Sequence, residues 1–289
     1  MTAPTGQAVR EIVLDAGGVP LSGLLAVPTG PPRAVVVALH GGGMRAGYFH
    51  GTADPACSFL ALAAARGYTA LALDRPGYGH SAAKLPQGAS LARQTALLRA
   101  ALERFGESCP TGAGLLLLGH SLGGKLALTA AAHPLPGLLG VDVSGVGNRW
   151  ATHPDSLRTP GGRGTHHLHW GPPALYPPGT FRLAERLVTA MPVREAREIP
   201  DWPRLYAGLA ERVTVPVRLT FAEHERWWRC DERALGAMTS VLVSAASVRT
   251  ERLPGAGHNI SLGLRARAYH QRVLAFLEEC LGPRARDPG

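Results

Sequence analysis

The first residues that could do chemistry are a serine set between two glycines. Residues 119–123 read Gly-His-Ser-Leu-Gly, a G-x-S-x-G pattern with Ser121 at its centre. An apolar run at 115–118 predicts a buried strand, and an alanine- and leucine-rich stretch from 123 to about 132 predicts a helix. Strand, turn and helix in this order are typical of a nucleophile elbow, which lifts a serine hydroxyl above a sheet edge. The pattern predicts Ser121 as a catalytic nucleophile.

The two glycines of this pattern have a predicted packing role. A side chain at Gly119 or Gly123 would clash with the neighbouring strand and helix. A chance match is the alternative, because the chain contains 36 glycines. The predicted strand before the serine and the predicted helix after it favour the catalytic interpretation.

A serine nucleophile needs a general base, and one late histidine is well placed to supply it. His258 lies in the segment Leu-Pro-Gly-Ala-Gly-His-Asn, between a predicted strand at 248–253 and a predicted final helix at 261–280. This compact loop would carry the imidazole over the sheet edge. The chain has 12 histidines, and an ordinary surface position is the alternative, but the place after the last strand favours His258.

The base in turn needs an orienting carboxylate after the preceding strand. Residues 219–228 read Leu-Thr-Phe-Ala-Glu-His-Glu-Arg-Trp-Trp, and Glu225 follows the predicted strand end at Ala222 by three residues. Glu225 is the first choice, and Glu223 could instead be a turn residue. Asp142 is a second-line candidate, with anchoring of a loop at a strand end as its alternative role. The resulting chain order, serine, acid and histidine, is that of Ser121, Glu225 and His258.

Backbone N–H groups that stabilise an oxyanion are predicted from a glycine run and from the elbow. Residues 40–43 read His-Gly-Gly-Gly after a predicted strand at 34–39, so the backbone there can approach a substrate. Gly42 is the first candidate donor and Gly43 the second, and a flexible loop is the alternative. Leu122 supplies the other N–H at the start of a helix, where developing negative charge is stabilised.

Strands and helices alternate along most of the chain, which predicts an α/β fold with a mostly parallel sheet covered on both faces. A hairpin at 11–27 adds antiparallel strands at one edge. The alternation of strands and helices is interrupted at 148–212, a stretch rich in Pro, Gly, His and aromatic residues. Within it, helices are predicted at 181–191 and 202–211. We interpret 1–147 and 213–289 as one core and 148–212 as a cap over the active site.

Composition narrows the possible functions. The net charge is +9, and only Lys84 and Lys125 are lysines, so the basic charge is mostly arginine. No compact basic run or nucleic-acid motif is present, which disfavours DNA or RNA binding, whereas an acidic carrier protein or an anionic substrate stays open. Without a long apolar run or a leader-like N-terminus, a cytoplasmic enzyme that does not engage membranes is expected.

Metal and redox chemistry are not expected. The four cysteines lie far apart without a C-x-x-C pair, so we predict reduced thiols. The run His166-His167-Leu168-His169 lacks a carboxylate or cysteine at useful spacing, which favours a solvated loop over a metal site. Residues 74–81 contain a second serine, Ser81, but are predicted as a tight loop that holds the active-site wall.

Taken together, these motifs resemble the α/β-hydrolase superfamily. The matching parts are 40–43, a D-x-x-G-x-G-x-S pattern at 74–81, 119–123, the turn at 223–225 and Gly257-His258, in the family's order over about 10–280. The resemblance implies an eight-stranded, mostly parallel sheet with a cap between strands six and seven. A serine nucleophile disfavours the aspartate-nucleophile branch, and Glu225 replaces the more usual aspartate.

The resemblance also implies a function. The segments 170–181 and 223–228 are similar to stand-alone thioesterase-like hydrolases of secondary metabolism, including antibiotic biosynthesis. We therefore expect a serine hydrolase that cleaves an ester or thioester of a bulky natural-product or peptide-derived acyl group, without cofactor or metal. The alternatives are an acyltransferase or cyclising enzyme that uses an acceptor other than water, and a member that binds ligands or partners without catalysis.

Overall fold

The computed structural model describes residues 8–51, 53–153, 155–156 and 166–282. Within them, eight strands form one sheet in the order β1-β2-β4-β3-β5-β6-β7-β8. The predicted α/β fold is confirmed. The strands are β1 Arg10–Asp15, β2 Pro20–Ala26, β3 Val35–Leu39, β4 Thr69–Leu73, β5 Leu115–His120, β6 Leu138–Ser144, β7 Val217–His224 and β8 Val248–Gly257.

The sheet is antiparallel only at one edge. Strands β1 and β2 form the predicted hairpin, and β2 also pairs antiparallel with β4. From β4 across to β8 all neighbours are parallel. Every residue of β3, β4 and β5 is buried, which explains their continuous apolar sequences, because central parallel strands are covered on both faces.

Helices cover both faces and produce two apolar clusters. Side chains of α2, α3 and α7 pack into one cluster and those of α1 and α9 into the other. The helices are α1 Phe59–Ala65, α2 Leu91–Ser108, α3 Leu122–Ala131, α4 His166–His169, α5 Thr180–Ala184, α6 Val193–Glu198, α7 Trp202–Ala210, α8 Glu232–Thr239 and α9 Ala266–Leu281. No helix in the described ranges has both the length and the apolarity of a membrane span.

The 148–212 segment leaves the sheet after β6 and returns to it at β7, and its described part holds α4 to α7. The predicted helix at 202–211 is confirmed as α7, whereas the prediction for 181–191 is wrong beyond Ala184. There the Thr189 N–H donates to the Gly43 carbonyl at 2.9 Å, and Pro192 disfavours helical geometry in the residue before it. Helix α6, which follows Pro192, was not predicted.

Candidate active site

Ser121 lies in a strained turn between β5 and α3. Its φ is 51°, the only positive φ of a non-glycine residue in the described part of the chain, and its ψ is −119°. Such a conformation costs about 1–3 kcal/mol and persists only where the surroundings enforce it. The Ser121 N–H donates to the Ser144 carbonyl at 2.8 Å, which anchors the turn to β6. The predicted elbow geometry is therefore present.

The glycines around Ser121 allow the close packing that the sequence predicted. A Cβ atom on Gly119 would lie 2.5 Å from the Gly124 Cα atom, within α3. One on Gly123 would lie 2.5 Å from the His40 carbonyl oxygen, just after β3. The turn can be this tight only because both positions lack a side chain.

His258 and Glu225 form a direct pair at the carboxyl ends of β8 and β7. The His258 Nδ1 atom is 2.7 Å from Glu225 Oε2, with 4 % of the histidine and 1 % of the glutamate side chain exposed. The other carboxylate oxygen of Glu225 accepts hydrogen bonds from the N–H groups of Arg226 and Trp227, at 3.1 and 2.9 Å. Both oxygens are thus used, and the carboxylate fixes the orientation of the imidazole.

The two other candidate acids have different partners. Glu223 is exposed and accepts the Gly255 N–H at 2.6 Å. Asp142 is fully buried within β6, 3.2 Å from Arg218 and 3.3 Å from the Tyr269 hydroxyl. Burial raises the pKa of Asp142. Of the three carboxylates that the sequence left open, the structure brings only Glu225 to His258.

The loop that carries His258 is fixed from two sides. Gly145, at the end of β6, has no side chain, and a Cβ atom there would lie 2.8 Å from the His258 ring. A Cβ atom on Gly257 would overlap the Trp170 carbonyl. The Asn259 side chain donates to the His169 carbonyl at 3.1 Å. The core and the 148–212 segment together hold the histidine.

The glycine run lies against the elbow. A Cβ atom on Gly41 would lie 3.3 Å from the Ser121 Cβ, and one on Gly42 would lie 2.6 Å from the Leu122 side chain. The Gly43 N–H donates to the Tyr78 hydroxyl at 3.1 Å. Among the described residues, nothing accepts a hydrogen bond from the N–H groups of Gly42 or Leu122. Those two N–H groups are therefore available for an oxyanion, and that of Gly43 is not.

One cavity brings these groups together. Ser121, His258, Gly42 and Leu122 all line it, in a space of about 520 Å³ that includes its opening to solvent. No hydrogen bond joins the Ser121 hydroxyl to His258 in the described part of the structure, so both polar groups can engage a bound molecule. Other lining residues were missed or unassigned from the sequence, and they include Lys125, Trp150, His169, Trp227, Trp228 and Asn259.

Three histidines close to this cavity are held uncharged. Burial lowers the pKa of His40 and of His169 to about 3 and that of His120 well below its ordinary value. His169 belongs to the histidine run that the sequence assigned to a solvated loop. That assignment is wrong for His169, because α4 turns it towards the cavity, where its ring lies 4.9 Å from that of Trp227. The described residues contain no metal-binding group of His, Cys, Asp or Glu side chains.

The loop at 74–81 supports the cavity wall through a buried ion pair. Arg75 binds both carboxylate oxygens of Glu195, at 2.5 and 3.0 Å, and the Tyr78 hydroxyl donates to Glu195 at 2.6 Å. Arg75 also donates to the His40 and Gly41 carbonyls, at 2.7 and 3.3 Å. Because Glu195 lies in α6, the pair ties the 148–212 segment to the glycine run, in agreement with the predicted role of this loop.

Comparison with known proteins agrees with this geometry. Residues 36–272 match the profile of the Alpha/beta hydrolase family. No curated protein sequence matches the chain. The matched region spans most of the chain and includes the elbow, the glycine run and the histidine loop. The chain belongs to the alpha/beta hydrolase family.

Solved structures share the fold at low sequence identity. A thermostable carboxyl esterase from Bacillus coagulans is 18 % identical with a TM-score of 0.66, over 95 % of this chain and 99 % of its own. A soluble variant of monoglyceride lipase from Saccharomyces cerevisiae is 14 % identical with a TM-score of 0.69, over 96 % and 97 %. A thioesterase domain from the curacin biosynthetic pathway is 19 % identical with a TM-score of 0.60, over 92 % and 99 %.

The family and the serine at the elbow together define the class of enzyme. Members with an aspartate at this position use a carboxylate nucleophile, whereas this chain has Ser121 in the strained turn. The protein is a serine hydrolase of the alpha/beta hydrolase family.

Proposed function

We propose that the protein cleaves an ester or thioester through Ser121, His258 and Glu225 by way of an acyl-enzyme. The pairing of His258 with Glu225 at 2.7 Å, in the cavity that also exposes the strained Ser121, carries this proposal. In a serine hydrolase the carboxylate holds the imidazole in the tautomer that accepts the serine proton. A buried carboxylate bonded to Nδ1 is the arrangement this role requires.

The reaction then proceeds in two halves. Ser121 Oγ attacks the substrate carbonyl carbon while His258 takes its proton, and the oxyanion is stabilised by the N–H groups of Gly42 and Leu122. His258 returns the proton to the departing alcohol or thiol as the carbon–oxygen or carbon–sulfur bond breaks. Water repeats the sequence on the acyl-enzyme and frees the acid and the serine hydroxyl.

The 148–212 segment is the proposed cap, and its aromatic side chains favour a bulky acyl group. Trp150 in this segment and Trp227 and Trp228 after β7 line the cavity, where flat rings can contact a large apolar or aromatic acyl chain. One similar structure is a thioesterase domain of a biosynthetic pathway. A natural-product or peptide-derived acyl group, handled in the cytoplasm, is therefore the substrate class that we propose.

Acyl transfer or cyclisation is the second candidate, because a second cavity adjoins the catalytic one. That cavity shares Leu122, Lys125 and Ile199 with the catalytic one. A nucleophile bound there would lie beside the acyl-enzyme. Product analysis with and without an added amine or alcohol separates the two fates: only the acid forms in hydrolysis, whereas transfer gives the acylated acceptor.

An acidic carrier protein is the partner that fits the surplus positive charge. Arg149, Arg229 and Arg233 are exposed and line one surface groove, together with Trp150, which also lines the catalytic cavity. None of the three forms an ion pair with another described residue. A carrier bound at these arginines would deliver its acyl chain past Trp150.

Covalent labelling with a fluorophosphonate, read by intact mass, tests the catalytic assignment. We expect one adduct on the wild-type protein, none on Ser121→Ala, and strongly reduced labelling of His258→Ala. Glu225→Gln should label about 100- to 10,000-fold more slowly, because the imidazole loses its orienting charge. Glu223→Gln is the matched control, since Glu223 lies two residues earlier, at the end of β7, but accepts from Gly255 instead.

Two results would contradict the proposal. Equal slowing in Glu223→Gln and Glu225→Gln would remove Glu225 from the catalytic set. A wild-type protein that binds acyl ligands but never forms the adduct would favour a binding member of the fold without catalysis.

A further inference from the structure

Lys125 is a buried cation beside the nucleophile that the catalytic mechanism does not use. It lies one helical turn after Ser121 in α3, where its N–H donates to the Ser121 carbonyl at 3.1 Å. The residue is 5 % exposed, and its ammonium group has no hydrogen-bond partner in the described part of the chain. It lines both the catalytic cavity and the neighbouring one.

Three indole rings surround this ammonium group. Its nitrogen lies 5.1 Å from the ring centre of Trp150, 5.5 Å from that of Trp202 and 5.2 Å from that of Trp228. Trp150 and Trp228 stack on each other at 3.8 Å, and the Trp202 N–H donates to the Gly147 carbonyl at 2.9 Å. Aromatic faces stabilise a cation, but they do not accept conventional hydrogen bonds from its three N–H donors.

The acid that acts on Lys125, Glu195, does not neutralise this charge. Glu195 already binds Arg75 through both oxygens and also accepts the Tyr78 hydroxyl. Glu195 and Arg75 act on Lys125 in opposite directions, and burial lowers the pKa of Lys125 to about 7. An unpaired buried ammonium is costly, whereas an apolar side chain would pack among three indoles without that cost. Packing alone therefore does not account for a lysine here.

We propose that Lys125 and its three indoles form an anion subsite, which selects substrates that carry a carboxylate a few bonds from the reactive carbonyl. Lys125 and Ser121 line the same cavity, and the Lys125 N–H donates to the Ser121 carbonyl, so a group held by the Lys125 ammonium lies close to the carbon that Ser121 attacks. A single ammonium among aromatic rings suits one negative charge on an apolar chain. This inference rests on the proposed esterase or thioesterase function and adds a substrate class to it.

Matched thioesters test the subsite. The N-acetylcysteamine thioesters of adipic acid and hexanoic acid have acyl chains of equal length, and only the first carries a free carboxylate. A second pair, the hexanoyl thioesters of 3-mercaptopropionate and of N-acetylcysteamine, places the carboxylate on the leaving thiol instead. Thiol release gives kcat and KM for each, so the two pairs distinguish the acyl side from the leaving side.

We expect the wild-type protein to prefer one carboxylated thioester over its neutral match by about tenfold or more in kcat/KM, as for a hydrogen bond to a charged group. Lys125→Met, which keeps length but not charge, should abolish the preference by raising KM for the charged substrate. Its activity on the neutral thioester should persist. Lys125→Arg keeps the charge and should retain part of the preference, and circular dichroism checks that both variants fold.

The outcomes separate this inference from the catalytic proposal. The subsite is overturned if the wild-type protein shows no preference in either pair, or if the preference survives in Lys125→Met. Turnover of the hexanoyl thioester would in that case still support the catalytic proposal. If no thioester is turned over, calorimetric titration of Ser121→Ala with the same thioesters decides. Tighter binding of a carboxylated thioester that requires Lys125 supports the subsite, and equal binding overturns it.

Discussion

Two buried cations line the cavity next to the catalytic one, Arg75 and Lys125, and their surroundings differ. Arg75 donates to a carboxylate, to two backbone carbonyls and to the Gln94 side chain. The Lys125 ammonium faces three indole rings and has no hydrogen-bond acceptor among the described residues. Both are almost inaccessible to solvent, at 1 % and 5 % exposed. The two cations are therefore similarly buried, and they differ in whether hydrogen-bond acceptors surround them.

A structural cation and a ligand-binding cation can be distinguished by their hydrogen-bond acceptors. A guanidinium whose donors are all used holds loops together and has little left to offer a ligand. An ammonium group that faces a cavity without an acceptor retains its full capacity to bind an anion. The second arrangement lines the catalytic cavity, and the first joins α6 to the glycine run.

Removing the charge of Glu195, which pairs with Arg75, should give the largest effect on stability. Glu195→Gln leaves the Arg75 charge buried without a counter-charge, and we expect a loss of about 3–5 kcal/mol in the free energy of unfolding. Urea unfolding measures it. The double variant with Met at positions 75 and 195 removes both charges and should recover much of that loss. A Glu195→Gln protein as stable as the wild type would show that the pair is not structural.

Removing the Lys125 charge should stabilise the protein instead of destabilising it. Lys125→Met deletes a buried ammonium without an acceptor, and we expect the free energy of unfolding to rise by about 1–3 kcal/mol. The same urea experiment at pH 6 measures it. Destabilisation would mean that the three cation–π contacts outweigh the desolvation of the charge, and the contrast with Arg75 would then fail.

The stability that Lys125→Met gains over the wild type should depend on pH, because the Lys125 ammonium titrates. Lys125 has a folded pKa of about 7, against about 10.4 in an unfolded chain. Between these values the unfolded state binds the extra proton, so wild-type stability rises with pH relative to Lys125→Met. The gap should be largest below pH 7 and shrink towards pH 10. Other groups near the two cavities are common to both proteins and cancel: Arg75, Glu195, Glu198, His120, His169 and His258.

The smallest expected effect concerns the exposed arginines. If Arg149, Arg229 and Arg233 bind an acidic carrier, turnover of a carrier-bound acyl thioester should fall several-fold when salt is raised, because exposed charges are screened. Turnover of the neutral hexanoyl thioester should not change. Arg233→Gln should weaken the salt effect on the carrier substrate alone. Equal salt responses of the two substrates would argue against the carrier.

Much of the fold could be predicted because its signals are local. The continuous apolar runs of β3, β4 and β5 are typical of strands buried on both faces, and the glycines around Ser121 mark the elbow. The 148–212 segment was harder, since its short helices depend on contacts with the core, such as the hydrogen bond between Thr189 and Gly43. Local propensity does not contain that information.

The candidate site likewise has a part that could be predicted from the sequence and a part that could not. Ser121, His258 and Glu225 follow the ends of predicted strands, so chain order alone brought them to one sheet edge. The surroundings of Lys125 could not be predicted, because Trp150, Trp202 and Trp228 come from three separate parts of the chain. The one available signal was the spacing of four residues between Ser121, just before α3, and Lys125 in the first turn of that helix.

The arrangement of tryptophans also gives the enzyme a built-in optical reporter. The chain has five tryptophans, and Trp150, Trp227 and Trp228 line the catalytic cavity while Trp202 lies across the ammonium group from two of them. Only Trp170 belongs elsewhere, packed against Tyr176 and Phe181. Four of the five indoles therefore lie at the cavity or around the Lys125 ammonium, so a change in ultraviolet absorption or emission reports on that site without an attached dye.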